Sequence, residues 1–313
     1  KELCPDGSTD QNVFDIMQGV SINIFVKTSK KKKNALGEVF HYDLQGKRDF
    51  KYEFLSDNSL KSIEWNRLDY KEPSYFFVQK DFSEQKEYEK GFKLDNLFVN
   101  YSSGIHTGKD HLVIDIDKKE LEKRIADVKL NPDENYIRNK YDLVDTSGWT
   151  LDRFKSTENQ IENYVKLKFR VFDDRWIIYE NKALKRDRGN LMKHFFKKEN
   201  VGLVSIKRSR SQDLWKYIFV SNLMTTEPTT ITALDNNFLF PLYLYPDENS
   251  LTTERTPNLN HEIVKKIEEK LNLTFVSEKE DNSSTFAPID ILDYIYAVLH
   301  SPTYRETYKE FLK

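Results

Sequence analysis

Val20, Ile22, Ile24 and Val26 alternate with Ser21, Asn23, Phe25 and Lys27, which is the period-two pattern of a half-buried strand. Residues 37–44, "GEVFHYDL", form a second strand-like stretch. The pair predicts a long hairpin across the basic loop "TSKKKKNAL". The lead-in from Phe14 to Gly19 is polar, aperiodic and closed by a glycine. So elaborate an approach to a complete strand predicts a chain cut from something longer.

Further along, "KRDFKYEFLSDNSLKSIEWNRL" predicts a strand or turn and then a short helix, and "SYFFVQKDF" a short aromatic strand after Pro73. "QKEYEKGFKLDNLF" is helical in composition but broken by Gly91. "SSGIHTGKDHLVIDID" predicts a glycine-marked loop running into a strand over residues 111–116, and "KKELEKRIADV" a helix. Pro, Gly, Asn and Asp signals predict a subdomain transition near residues 130–150. "ENYVKLKFRVF" and "DRWIIYENK" read as strands, "NLMKHFFKKEN" as a helix and "VGLVSIKRSR" as a strand with a basic tip. "WKYIFVSNLM", "TTITAL" and "FLFPLYLYP" add strands. "HEIVKKIEEKLNL" and "IDILDYIYAVLHSPTYRETYKEFLK" are helical, joined by the polar linker "SEKEDNSST". There is no internal repeat and no regular βαβ rhythm, so the expected class is α+β, in two subdomains.

The 313 residues suffice for two domains or one large one, and 17 Tyr and 21 Phe predict an aromatic core. A single cysteine, Cys4, excludes a disulfide framework or a thiolate metal cluster within the chain. No apolar run approaches the roughly 18–20 residues that span a bilayer, and "KELCPDGSTD" holds no apolar signal core. The expectation is a soluble, cytoplasmic fragment. The net charge of −2 hides a division: Val165 to Lys216 carries fifteen Lys and Arg against six acids, so this segment is +9 and the remainder −11. Local charge decides where a polyanion can sit.

Several catalytic readings fail on spacing. In "GIHTGKD" the glycines Gly104 and Gly108 stand too close for a phosphate loop, and Asp110 occupies the magnesium-binding Ser/Thr position. His106 and His111 have no third metal ligand nearby, and no G-x-S-x-G is present. No residue is therefore assigned to catalysis or to a metal. The basic segment carries more. "KALKRDRGN" and "SIKRSRSQ" place Lys185, Arg186, Arg188, Lys207, Arg208 and Arg210 at the ends of predicted elements. Arginine in a loop can reach guanine bidentately or grip a phosphate; the competing reading is a solvated surface. "KKKK" at residues 30–33 is more simply a solvated turn. The aromatic strands "SYFFV", "RWIIY" and "FPLYLY" are expected in the core rather than as base-stacking platforms.

Six blocks occur in order: "PDGSTDQNVFDIMQGVSINIFVK", "VFHYDLQGKRDFKYEFL", "SSGIHTGKDHLVID", "FRVFDDRWIIYENKALKRDRGNLMKHF", "FPLYLYP" and "DYIYAVLHSPTYRETYKEFLK". Over nearly the whole chain they resemble the C-terminal part of Type ISP restriction-modification enzymes and related adenine-specific DNA methyltransferases. That family joins a nuclease, a helicase-like motor, an adenine N6-methyltransferase and a C-terminal target recognition domain in one polypeptide. The resemblance implies that residues 1–50 are closing strands of the methyltransferase core, the predicted hairpin among them, and that residues 51–313 form the recognition domain.

The resemblance also implies double-stranded DNA and the upstream methyltransferase and motor as partners. S-adenosylmethionine would be a cofactor of the parent enzyme, with none in this fragment. No Asn-Pro-Pro-Tyr or Asp-Pro-Pro-Tyr is present, which agrees with a catalytic half lying upstream. Phe14 matches the aromatic on which such methyltransferases stack a flipped base. The family supplies no residue map for base readout. From their chemistry, Arg186, Arg188, Arg208 and Arg210 are the candidate base readers, with Lys185 and Lys207 on phosphates. His106, Thr107 and Lys109 of the glycine loop are second candidates. The alternative function is a protein-interaction module that docks on the upstream domains.

Overall fold

A computed structural model describes residues 3–14, 16, 19–27, 36–72, 75–207, 215–227, 231, 235–247, 249–250 and 252–312. The chain divides into two compact units, Lys1–Ser83 and Glu84–Lys313.

In the first unit, strand β1 (Phe40–His41) pairs antiparallel with β2 (Asn66–Arg67), on either side of a helix at Arg48–Asp57. Tyr42 stacks on Phe54 with ring centroids 5.4 Å apart, and Trp65 meets Tyr42 edge-on. Lys51 is buried and pairs with Asp10 at 2.7 Å, whose carboxylate also accepts from Gly46 N. The hairpin predicted from residues 20–27 and 37–44 does not form. Among the described residues, 20–27 pair with no strand, and Phe40–His41 pair with Asn66–Arg67 instead. The reason is burial. Alternation stabilises a strand only when one face is covered, and here Ile22, Phe25 and Val26 are all exposed. The aromatic stretch after Pro73 is also no strand: Phe76, Phe77 and Val78 are exposed, against the core expectation. The predicted helix in this unit comes early, over residues 48–57 rather than after them.

The second unit holds two larger antiparallel sheets beside two two-stranded pairs. One is built from β3 (Ser102–Ser103), β7 (Gly202–Ile206), β8 (Ile218–Ser221) and β9 (Asn237–Pro241), in the order β3-β9-β7-β8. The other is built from β4 (Ile114–Asp115), β5 (Tyr164–Arg170) and β6 (Asp173–Ile178), in the order β4-β6-β5. β5 and β6, both expected as strands, pair antiparallel as a hairpin. Two bridges join the sheets through the segment after β8: Lys168 runs beside Thr225, and Ile105 beside Thr226.

The helix Lys118–Leu130 starts where Asp117 accepts from Lys119 N and Glu120 N, satisfying donors that a first turn leaves open. Leu121, Ile125 and Val128 line its buried face and pack with Trp149, Phe154, Leu167 and Ile177 in one core cluster. A second cluster covers the four-stranded sheet, with Phe98, Phe240 and Leu242 packed against Val264, Ile291, Leu292 and Ile295 of helices His261–Leu271 and Pro288–His300. Asn258 is fully buried there. Its amide donates to Asn100 O and Pro241 O, both at 2.7 Å, and accepts from Asn100 N.

Gly91 does separate two short helices, Gln85–Tyr88 and Leu94–Leu97. The strand expected at residues 111–116 is instead a turn of helix, Asp110–Val113, followed by β4. The helix expected at 190–200 is regular only over Gly189–Met192. "RWIIY" and "FPLYLY" do enter the core. Mixed helices and small sheets make the class α+β. No helix among the described residues is long and apolar enough to cross a membrane.

Candidate nucleic-acid interface

The glycine loop and the first basic stretch, far apart in sequence, lie side by side. His106 N donates to Arg186 O at 3.0 Å, Arg186 N returns to His106 O at 2.9 Å, and Lys185 N donates to Thr107 O at 3.1 Å. On its other flank the loop is bonded to the segment after β8: Ile105 N donates to Thr225 O and Glu227 N to Ile105 O, both at 2.7 Å. The loop is thus the middle of three short backbone runs.

Glycine makes this packing possible. A Cβ on Gly104 would lie 2.3 Å from Thr226 O, closer than any real contact. Gly108 has φ +75, and together with Gly148 it borders the aliphatic stem of Lys185. A Cβ would meet that stem at 3.1 Å from Gly108 and at 2.7 Å from Gly148. Lys185 therefore runs in a slot between two glycines, which orients its ammonium.

The candidate side chains divide by what already holds them. The Arg186 side chain is exposed and has no hydrogen-bond or ion-pair partner among the described residues. Lys109 donates to Asp142 O at 3.1 Å and lies 5.8 Å from the Trp149 ring. Thr107 is buried, and its hydroxyl donates to Asp110 and accepts from Lys109 N, so it shapes the loop from within. His106 is half-buried; burial first, and then the Lys185 charge, hold its pKa below the ordinary value.

Arg188 adopts a left-handed backbone, φ 57, at the start of helix Gly189–Met192. Its guanidinium pairs with Glu227 at 3.0 Å. Glu227 is nearly buried and also accepts from Ser103 Oγ at 2.9 Å, while Arg188 Nε is buried without a partner. This pair ties β3 to the basic stretch.

Lys207 belongs to another group. It donates to the Tyr101 hydroxyl at 3.0 Å, lies 3.4 Å from Asp95 and sits over the Tyr101 and Phe238 rings. The Tyr101 hydroxyl holds its pKa above the ordinary value. Arg208 and Arg210 lie outside the described residues, as do residues 30–33. Phe14 lies in the first unit, 56% exposed, with its carbonyl 3.4 Å from Arg48 Nη2.

Sequence reading did not single out two further cations, Arg153 beside the slot and Lys182 within the basic stretch that it had counted. Arg153 donates to Gly148 O at 3.0 Å and to Asn181 O at 2.6 Å, and Lys182 donates to Ser156 O at 3.2 Å. Neither has a carboxylate partner among the described residues. Arg153 grips the glycine that borders the Lys185 slot. Its neighbours Asp145 and Asp152 dilute the local charge, so charge density alone could not reveal it. Among the described residues no group of acidic, His or Cys side chains could hold a metal ion.

A model of the Type ISP C-terminal specificity domain matches residues 96–313, which include this whole site. The chain belongs to that family. No curated protein matches it in sequence. The fold of the specificity domain recurs in solved structures of larger proteins. The ATP-dependent Type ISP restriction-modification enzyme LlaBIII bound to DNA superposes with a TM-score of 0.66 at 20% identity over 98% of this chain and 20% of that one. A DrdV–DNA complex gives 0.61 at 18% identity, over 88% of this chain and 28% of that one. A nuclease-deletion mutant of the Type ISP enzyme LlaGI with a DNA substrate mimic gives 0.57 at 19% identity, over 90% and 26%. The chain thus spans between a fifth and three tenths of the length of these enzymes.

Proposed function

We propose that this specificity domain reads duplex DNA and positions an upstream adenine N6-methyltransferase on its target. The observation that carries the reading is the cation group of Lys109, Arg153, Lys182, Lys185 and Arg186. Backbone bridges, the glycine slot and the Gly148 carbonyl gather Lys109, Lys185, Arg186 and Arg153, Lys182 belongs to the same basic stretch, and none has a carboxylate partner among the described residues. A solvated surface needs no such alignment, whereas phosphates fix register through cations and base edges give specificity. Arg186, exposed and unengaged, is the base reader; Lys182, Lys185 and Arg153 serve phosphates. Arg188 and Thr107 support the site from behind, and Lys207 works elsewhere.

The wider assignment extends the same reading. The parent enzyme would act in the cytoplasm with S-adenosylmethionine, and its methyltransferase and motor would be this domain's partners. Phe14, exposed on the first unit, would stack the flipped base. The exposed Ile22, Phe25 and Val26 supply apolar surface for docking on upstream domains, the specific support for an interaction role beside DNA reading.

The test is fluorescence anisotropy of the 313-residue chain with mixed-sequence duplex across a salt series. The expected result is binding at low salt that weakens with a slope of several phosphate contacts, roughly 0.9 per contact. Arg186→Glu with Lys185→Glu should abolish it without loss of folding. Undiminished binding by the double variant overturns the assignment of this face.

A further inference from the structure

The β5–β6 hairpin turns through two residues, Val171 and Phe172. Two-residue turns favour Asn or Gly because their primed geometry needs positive φ. Neither residue here has positive φ; the ladder shifts register between Lys168 and Arg170, and such an irregularity adds twist. Turn chemistry therefore does not call for Phe at this tip. Neither does the core, since Phe172 is 97% exposed, the most exposed of the large hydrophobic residues described.

Its surroundings carry cations. Arg170 and Arg175 both stand 4.1 Å from the centroid of the Phe169 ring, and Lys166 stands 4.8 Å from that of Trp176. Asp173 pairs with Arg175 and Asp174 with Lys168; Arg170 and Lys166 act on the Asp173 carboxylate only through their charge, so four cations stand around two carboxylates. The hairpin also shares its anchor with the loop that carries His106. Lys168 N donates to Met224 O at 2.8 Å and Thr226 Oγ1 to Phe169 O at 3.3 Å, and the same segment binds Ile105 on both sides through Thr225 and Glu227.

We infer that Phe172 is an apolar wedge that contacts DNA bases, resting on the DNA-reading function proposed above. An aromatic tip beside excess positive charge suits a stacked base, because phosphates are drawn to the cations while the ring meets a base face. An apolar protein partner would explain the exposed ring but not the excess of positive charge around it.

The experiment compares wild type, Phe172→Ala and Phe172→Trp in the 313-residue chain. It uses mixed-sequence duplexes carrying scattered 2-aminopurine, in anisotropy salt series and by base fluorescence. Phe172→Ala should weaken binding roughly 5- to 150-fold, the range of one base–aromatic stack, with the salt slope unchanged because no cation is lost. 2-Aminopurine should brighten with wild type and with Phe172→Trp but not with Phe172→Ala. The thermal midpoint of Phe172→Ala should match wild type, since the ring is outside the core. Wild-type binding with Phe172→Ala within twofold of it overturns the wedge alone. A reduced salt slope in Phe172→Ala overturns it too. Failure of wild type to bind removes the DNA reading and the wedge with it.

Discussion

Gly104→Ala should loosen the site from beneath. The new Cβ would stand 2.3 Å from Thr226 O, 2.4 Å from Thr226 C and 2.7 Å from Thr225 O. These are backbone atoms, so no side chain can rotate away. The two runs must separate by about 1 Å to reach ordinary contact distance. That strains the bonds Ile105 N to Thr225 O and Glu227 N to Ile105 O, both 2.7 Å. Each is worth about 1 kcal/mol net, and more if its groups stay buried and unpaired. Ile105 is fully buried, and its disturbed packing adds about 1 kcal/mol. The total is about 3 kcal/mol. Gly108→Ala serves as the graded comparison: its φ of +75 and the 3.1 Å approach to Lys185 Cβ should cost about 1–2 kcal/mol. Urea unfolding followed by tryptophan fluorescence reads both, since Trp149 is buried in this unit. With a slope of 1–3 kcal/mol per M, Gly104→Ala should lower the midpoint by about 1 M or more. A Gly104→Ala protein within about 0.5 kcal/mol of wild type, the range of neutral surface changes, would refute the close-packed loop.

Three further outcomes follow from named groups. Burial first, and then Lys193, push the His194 pKa down to about 4, and Tyr245 N donates to its Nδ1. The native state thus binds fewer protons than the unfolded chain, so this contribution is whole above pH 6.5 and is lost as pH falls from 6.5 towards 4. The loss is about 3 kcal/mol in all; a urea midpoint that is flat across that window would refute it. Glu227→Ala strips Arg188 of its carboxylate beside an Nε already buried without a partner, and should cost about 2–3 kcal/mol in chemical unfolding. A neutral result would mean that the pair holds nothing. Lys182→Ala should reduce the DNA salt slope by about 1 while leaving the unfolding midpoint in place, and an unchanged slope would remove Lys182 from the interface.

What the sequence revealed depended on whether local pattern or distant packing made the feature. The helix Lys118–Leu130 was legible because its cap and its i, i+4, i+7 apolar positions are all local. The strands β5 and β6 were legible because each is a short run of aromatic and branched residues bounded by polar signals, although their burial does not alternate cleanly and their pairing was not read. The stretch 20–27 misled because its alternation has no covered face within the described residues. For the site, charge density located the segment with Lys185 and Arg186, and two glycines marked the loop beside it. Their junction was not legible, since His106 and Arg186 are joined only by backbone bonds. Nor was the division of labour: Arg188 and Lys207 look like Arg186 in sequence, yet Glu227 and Asp95 engage them.

The placement of β3 has a consequence for the birth of the chain. Ser102–Ser103 pair with Phe238–Leu239, and Asn100 depends on the Asn258 amide for both its backbone groups. On the ribosome, which adds about 5–20 residues per second, the early strand waits roughly 7–28 s for partners encoded about 140 residues later. Through that interval its edge and the apolar flank at Leu97 and Phe98 are open to wrong pairings. The four-stranded sheet therefore closes late, after the hairpin and helices of the other sheet are complete, and translation speed across this stretch should govern the yield of correctly folded protein.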